Sequence, residues 1–248
     1  MLAIDGTARF VSDIHLRAER PDITGRFFSF LDNCAGAGIR ALFILGDLFE
    51  YWIGDDDLDD EFNREVANRL VALTRRGTQT YFISGNRDFL IGADFAREAG
   101  IALLPELTKV GAGDTAILLL HGDTLCTDDV AYQDFRRLVR SSAWQSSFLG
   151  QPLAQRRAEV ARLRQRSAAA MQGKSAAIMD VNAQAVSAAL RDNDCASLIH
   201  GHTHRPADHV FELNGEACTR WVLSDWDSDR GDALEVDAAG VRRLDYSN

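Results

Sequence analysis

Five segments of the chain share one pattern: a short apolar run, a small residue, then Asp, Asn or His. They read ARFVSDIHL (8–16), ALFILGDLF (41–49), TYFISGNRDF (80–89), TAILLLHGDT (115–124) and SLIHGHTHRP (197–206). Short apolar runs without clean alternation suit strands buried on both faces. Helix-like stretches separate them, including 26–37 and 61–77. In the second, Phe62, Val66, Leu70 and Leu73 recur at helical spacing and Gly77 supplies a stop. The pattern predicts an α/β layered fold. Its polar residues fall at the C-terminal ends of strands, where open α/β sheets bind ligands, provided the strands share one sheet edge. A late strand pair or hairpin is expected from RWVLSDW (220–226) and ALEVDAAGVRRLDY (233–246).

The 248 residues are 46% hydrophobic, ample for a sizeable core and incompatible with intrinsic disorder. A net charge of −10 argues against a general nucleic-acid binder, which needs a basic footprint. Cys34, Cys126, Cys195 and Cys218 form no CxxC pair, so they offer neither a disulfide framework nor a zinc knuckle and suit a reducing compartment. Asp5 and Arg9 interrupt the N-terminal apolar run, so no signal peptide is expected. No uninterrupted apolar run approaches the ~20 residues of a membrane span. The expectation is a cytoplasmic protein of one domain (1–248) that can still touch a membrane surface.

Residues 127–182 break the pattern, with no strand-like run and helical character throughout. Nine basic against five acidic residues give this insertion +4, so the rest of the chain carries −14. Trp144, Phe148, Leu149 and Leu153 lie close together in it. Two readings stand: a helical bundle with a solvated basic face, or a lid meeting an anionic ligand with an apolar portion. A basic amphipathic helix can also rest on anionic lipid.

The strand-end groups are weak singly and informative as a set. Asp13 and His15 are two apart, as are His202 and His204; Asp47 follows Gly46, Asn86 follows Gly85, and His121 precedes Gly122. Four imidazoles, two carboxylates and one amide are too many ligands for one tetrahedral zinc. They fit two metal ions if one carboxylate bridges, the arrangement used for in-line displacement at phosphorus. The donor types suit Mn, Fe or Zn better than Ca or Mg.

The series D-x-H, GD, GN, H and GHTH resembles the calcineurin-like metallophosphoesterase superfamily, in order from Asp13 to His204. That resemblance implies a four-layer α/β/β/α sandwich with a helical lid. One metal would be held by Asp13, His15, Asp47 and His204, the other by Asp47, Asn86, His121 and His202. The superfamily usually has His after the Asn; here Arg87 stands there. GNRDF, GDLFEYWIGDDD, HGDTLCTDD, AIMDVN and IHGHTHRP together are similar to the UDP-2,3-diacylglucosamine pyrophosphohydrolase branch, over about residues 8–206.

The branch implies two Mn²⁺ ions and attack of a dimetal-activated water on the α-phosphorus, giving UMP and lipid X in lipid A synthesis. It also implies a cap over the sugar and acyl chains, at the cytoplasmic face of the inner membrane. Asp47, Asn86, Arg87 and His121 are then the expected catalytic residues. Asn86, Arg87, Asp129, Ser167, Lys174 and His202 are the expected substrate contacts, and Met171 departs from the polar residue that some relatives have there. Arg87 would grip phosphate, with Asp88 orienting it or merely pairing with it.

Lesser signals have two readings each. Arg157 and Arg164 are either phosphate or membrane contacts or solvated surface. Trp144, Phe148 and Leu149 line an acyl groove or form bundle core. The acidic run 55–61 is a cation site or a solvated loop before a helix, and Trp52 is an active-site aromatic or core. Two rival functions remain at this stage: the same fold acting on a soluble nucleotide such as a dinucleoside polyphosphate, and a non-catalytic binding module.

Overall fold

A computed structural model describes residues 1–112, 115–171 and 178–247, the side chains at 112 and 166–171 excepted. The chain runs through β1 (Leu2–Ile4), β2 (Ala8–Val11), α1 (Pro21–Ala37), β3 (Ala41–Ile44), α2 (Glu61–Arg75), β4 (Gln79–Phe82), α3 (Ala93–Ala99), β5 (Ile101–Leu103), β6 (Leu107–Ala112) and β7 (Thr115–Leu120). Three cap helices follow, α4 (Val130–Arg140), α5 (Ser142–Leu149) and α6 (Leu153–Met171). Then come α7 (Ala183–Asp192), β8 (Ser197–His200), β9 (Ala207–Leu213), β10 (Glu216–Val222), β11 (Asp232–Asp237) and β12 (Gly240–Asp245).

The strands form two sheets, β12-β11-β2-β3-β4-β5 and β1-β6-β7-β8-β10-β9. In the first, β2 to β5 are parallel and the β11–β12 hairpin adds antiparallel beside β2. Phe10, Phe43 and Ile83 from this sheet meet Val110, Ile117, Leu119 and Ile199 from the other. Phe43 stacks on both Phe10 and Tyr81, with ring centroids 4.8 Å apart in each pair. The intervening Val11, Leu42, Ile44 and Phe82 face outward, in one core with Phe27, Leu70 and Phe95 of α1, α2 and α3. Beyond the second sheet, Leu118, Leu120 and Leu198 pack on Val186 and Leu190 of α7. The result is the α/β/β/α order the resemblance implies. Coverage on both faces explains apolar runs without alternation, and each fully buried Phe or Ile contributes about 1.5–3 kcal/mol.

Two sequence expectations change here. The five patterned strands do not share one sheet: β2, β3 and β4 lie in the first, β7 and β8 in the second. Stacking, rather than one sheet edge, brings their C-terminal ends together. The late hairpin forms within 233–246, as β11–β12, and the 220–226 stretch does not pair with it. β10 pairs with β8 and, through a two-residue turn, with β9. Asn214 and Gly215 in that turn both take positive φ, 55° and 85°, the backbone an Asn-Gly hairpin requires. The NG dipeptide was the available signal.

Helix α1 starts at Pro21 rather than near 26, because a proline's fixed φ suits the first helical turn. Helix α2 starts as expected, with the Asp60 carboxylate accepting the N–H groups of Phe62 and Asn63. The insertion is helical over α4, α5 and α6, while α7 belongs to the sandwich.

Candidate metal centre and cleft

The small residue of the repeated pattern has a steric cause. A Cβ on Gly85 would lie 2.1 Å from Asp47 Oδ1, and one on Gly201 would lie 2.1 Å from Asp13 Oδ2. Only glycine lets these loops approach. The polar residues after them also hold unusual backbone. Asp13, His15, Asp47, His202 and His204 all have φ between 53° and 67°, among just seven non-glycine positive-φ residues of the described chain. Asp and His tolerate this region better than most, at a cost of about 1–3 kcal/mol each. The twist turns each side chain back toward one spot.

At that spot two clusters form, Asp13 with His15 and His204, and Asp13 with Asp47 and His121, each with ligand atoms within 4.8 Å of one another. Asp13 belongs to both tight clusters, and Asp47 stands with it and His121 as the second carboxylate of the centre. Asp13 Oδ2 accepts from Ser12 Oγ at 2.6 Å and His202 N–H at 2.8 Å, while Oδ1 is buried with no hydrogen-bond partner. His15 Nε2 lies 3.3 Å from His204 Nε2. His121 Nδ1 donates to the Leu45 carbonyl at 2.8 Å, and its Nε2 faces Asn86 Oδ1 at 2.9 Å. His202 Nδ1 faces the same oxygen at 2.8 Å. Asn86 is thus part of the constellation, and the seven sequence-expected ligands converge.

Opposed lone pairs and an orphaned buried carboxylate oxygen need positive charge between them. The same pull acts on His121: burial disfavours its cation, yet Asp47, Asp13 and Asp123 outweigh this and raise its pKa to about 9. Burial, with Asp88 and Asp13 nearby, pushes Asp47 up despite His121 and Arg87. Burial holds His15 at about 3 and His202 at about 4, keeping both neutral as metal ligation requires. The donor set fits divalent ions.

Carboxylates that the sequence reading did not use support this centre. His204 Nδ1 is 3.4 Å from Asp225 Oδ2, in the SDWD segment. His15 Nδ1 is 3.5 Å from Glu50 Oε2. Asp88 does not orient Arg87; its buried carboxylate accepts from Gly85 N–H at 2.9 Å, Leu48 N–H at 2.7 Å and Asp47 N–H at 3.3 Å, tying two ligand loops together. Asp123 accepts from Tyr132 Oη at 2.9 Å and Arg136 Nε at 2.7 Å, fastening α4 to the His121 loop. Tyr132, whose ring lies 5.8 Å from that of His202, escaped the sequence reading. Its signal is its place three residues after Asp129, the α4 N-cap, whose carboxylate accepts the Tyr132 N–H.

A cleft of about 370 Å³ opens beside the centre. Asn86, Arg87 and Glu50 line it together with Trp144, Phe148, Val160 and Leu163 of the cap, which supply apolar wall, and with Arg136, Arg140 and Arg164. Arg87 donates its backbone N–H to Asp47 Oδ1 at 2.8 Å, while its Nε has no hydrogen-bond partner. Trp144 and Phe148 stack at 4.8 Å and also pack on the core, so they serve as groove and bundle core together. Leu149 is outside the lining and 41% exposed. Asp129 is buried at the α4 N-terminus and does not line the cleft. Ser167 lies on α6 with its side chain outside the described residues, as is that of Met171; Lys174 lies outside them altogether.

The acidic run divides: Asp59, Asp60 and Glu61 are the exposed lead into α2, with Asp60 as its N-cap, while Asp55, Asp56 and Asp57 are engaged. Asp55 accepts from Trp52 Nε1 and from the N–H groups of Gly92, Asp94 and Phe95; Asp56 pairs with Arg156 and Asp57 with Arg157. These three clamp α3 and the cap. Arg157 is engaged there, Arg164 pairs with Glu50, and Trp52 is 3% exposed against Phe49 and Phe95.

The chain belongs to the calcineurin-like phosphoesterase family, whose profile matches residues 8–206. Within it, relatives similar over most of the chain include several UDP-2,3-diacylglucosamine hydrolases. The chain is 50% identical over 234 residues to the UDP-2,3-diacylglucosamine hydrolase of Aromatoleum aromaticum, covering 94% of each. It is 49% identical to that of Sodalis glossinidius (96% of this chain, 97% of the relative) and 47% to that of Pseudomonas paraeruginosa (96% and 98%).

Proposed function

We propose that this chain hydrolyses the pyrophosphate bond of UDP-2,3-diacylglucosamine, giving UMP and 2,3-diacylglucosamine 1-phosphate (lipid X) for lipid A biosynthesis. One observation carries this reading: a single cleft joins the Asn86–Arg87 end of the candidate metal centre to an apolar wall in the cap. A soluble nucleotide has no use for that wall. The shared name of relatives at 47–50% identity supports the same substrate.

Two Mn²⁺ ions, one held by Asp13, His15, Asp47 and His204, the other by Asp47, Asn86, His121 and His202, would supply Lewis acidity and a water of lowered pKa. The water's oxygen ends on the α-phosphorus of UMP, and the bridging oxygen leaves with the sugar phosphate. Arg87, with its Nε unpartnered, forms charge-assisted hydrogen bonds to the phosphoryl oxygens, strongest as charge develops. It keeps its own proton at neutral pH, which a sugar phosphate, already a good leaving group, permits. Ser167, Lys174 and His202 complete the substrate contacts of a one-domain enzyme whose cap spans about 127–182, and Asp129, which caps α4 away from the cleft lining, acts through that helix.

No described helix is long and apolar enough to cross a membrane. The exposed Val130, Leu138 and Arg137 of α4 fit a peripheral position at the cytoplasmic face of the inner membrane. The deciding assay compares hydrolysis of UDP-2,3-diacylglucosamine and UDP-glucose. A strong preference for the diacylated substrate is expected, and equal rates would sink the lipid reading.

A further inference from the structure

We propose that Glu50 is a positioning residue for this hydrolysis: one carboxylate sets the His15 tautomer and restrains the Arg87 and Arg164 guanidinium groups. The inference rests on the proposed function for its kinetics, though not for its metal binding.

Backbone hydrogen bonds place Glu50 behind His15. The loops after β2 and β3 zip together through His15 N–H to Asp47 O (3.0 Å), Leu16 N–H to Leu48 O (2.8 Å) and Glu50 N–H to Leu16 O (3.0 Å). The side chain, 13% exposed, then serves two directions. Oε2 lies 3.5 Å from His15 Nδ1, a buried nitrogen with no hydrogen bond of its own. Oε1 accepts from Arg164 Nη2 at 2.6 Å and lies 3.9 Å from Arg87 Nη1.

The first direction concerns the tautomer. His15 Nε2 points into the cluster with Asp13 and His204, so its lone pair is available only if the ring proton sits on Nδ1. A carboxylate facing Nδ1 favours that form. His204 has its own such partner, Asp225, but Asp225 answers to Arg230 rather than to the cleft. Glu50 alone among the described carboxylates lines the cleft. The second direction concerns charge. Two arginines beside a centre built for cations repel those cations, and the nearby negative charge of Glu50 offsets them. Arg164 also brings α6 of the cap into this arrangement.

Glu50→Gln separates charge from shape, since the amide oxygen still accepts a hydrogen bond. The full chain is stripped with chelator and titrated with Mn²⁺ by calorimetry. Glu50→Gln is expected to bind Mn²⁺ about tenfold or more weakly, and its kcat to fall about 10–100-fold. Glu50→Asp should recover part of both, and adding Arg164→Ala to Glu50→Gln should cost less than Arg164→Ala alone. A folded Glu50→Gln protein with wild-type Mn²⁺ affinity overturns the proposal. If Glu50→Gln does not fold, Glu50→Asp decides in the same way: weaker Mn²⁺ binding supports the role and wild-type binding overturns it. Wild-type protein that binds Mn²⁺ yet spares UDP-2,3-diacylglucosamine defeats the substrate reading instead, and leaves the titration to judge Glu50.

Discussion

Arg87 is bracketed by residues with different tasks. Asn86 points its amide oxygen at His121 and His202, and Asp88 is spent on backbone N–H groups of two loops. Its guanidinium is thereby left to face the cleft. Arg87→Ala should lower kcat about 10²–10³-fold, as loss of a charge-stabilising donor does, with Mn content per chain unchanged. His121→Ala should abolish both activity and stoichiometric Mn, because it removes a ligand rather than a substrate contact. Elemental analysis beside kinetics distinguishes them; metal loss in Arg87→Ala would make that residue structural. All seven candidate ligands were legible in the sequence, since each lies within one to five residues after a short apolar run. Glu50, Asp88, Asp225 and Tyr132 were not. Their tasks depend on partners that local pattern does not reveal, and in Asp88 adjacency to Arg87 suggested the wrong one.

At the scale of elements, the cap is fastened by specific ion pairs. Arg156 of α6 is 1% exposed, donates to the Ile53 carbonyl at 2.6 Å and pairs with Asp56. On α4, Arg136 reaches Asp123, and Arg140 reaches the Gly85 carbonyl at 2.8 Å. Arg156→Ala should lower stability by about 2–3 kcal/mol in urea unfolding, the range for hydrogen bonds to charged groups plus lost packing. Mn²⁺ affinity should stay wild-type, because no candidate ligand touches Arg156; an undiminished midpoint would show the clamp to be dispensable. The helices of the insertion were readable from composition and the absence of strand-like runs. Their anchorage was not: Asp56 and Asp57 look like any other members of an acidic run until the tertiary structure sets arginines from 100 residues away against them.

Across the whole molecule, charge is divided between a body of −14 and an insertion of +4. Exposed Val130 and Leu138 lie on that basic insertion. The full chain should float with anionic vesicles, less so as salt rises, and Val130→Glu with Leu138→Glu should reduce flotation while UDP-2,3-diacylglucosamine in detergent is still cleaved. Flotation unchanged in the double variant would place the membrane surface elsewhere. The sequence by itself determined the fold class, the apolar strands covered on both sides and which seven polar side chains stand at the strand ends. These follow from local composition: what each strand buries and what chemistry its end carries. Only the tertiary structure decided that the patterned strands divide between two sheets, that β10 pairs with β9, and that glycine is required where Asp47 and Asp13 press against the neighbouring loops. It alone brought Glu50 to His15 and the cap arginines to their acids. Those are long-range pairings, set by how sheets stack and loops meet, and no short window of residues encodes them.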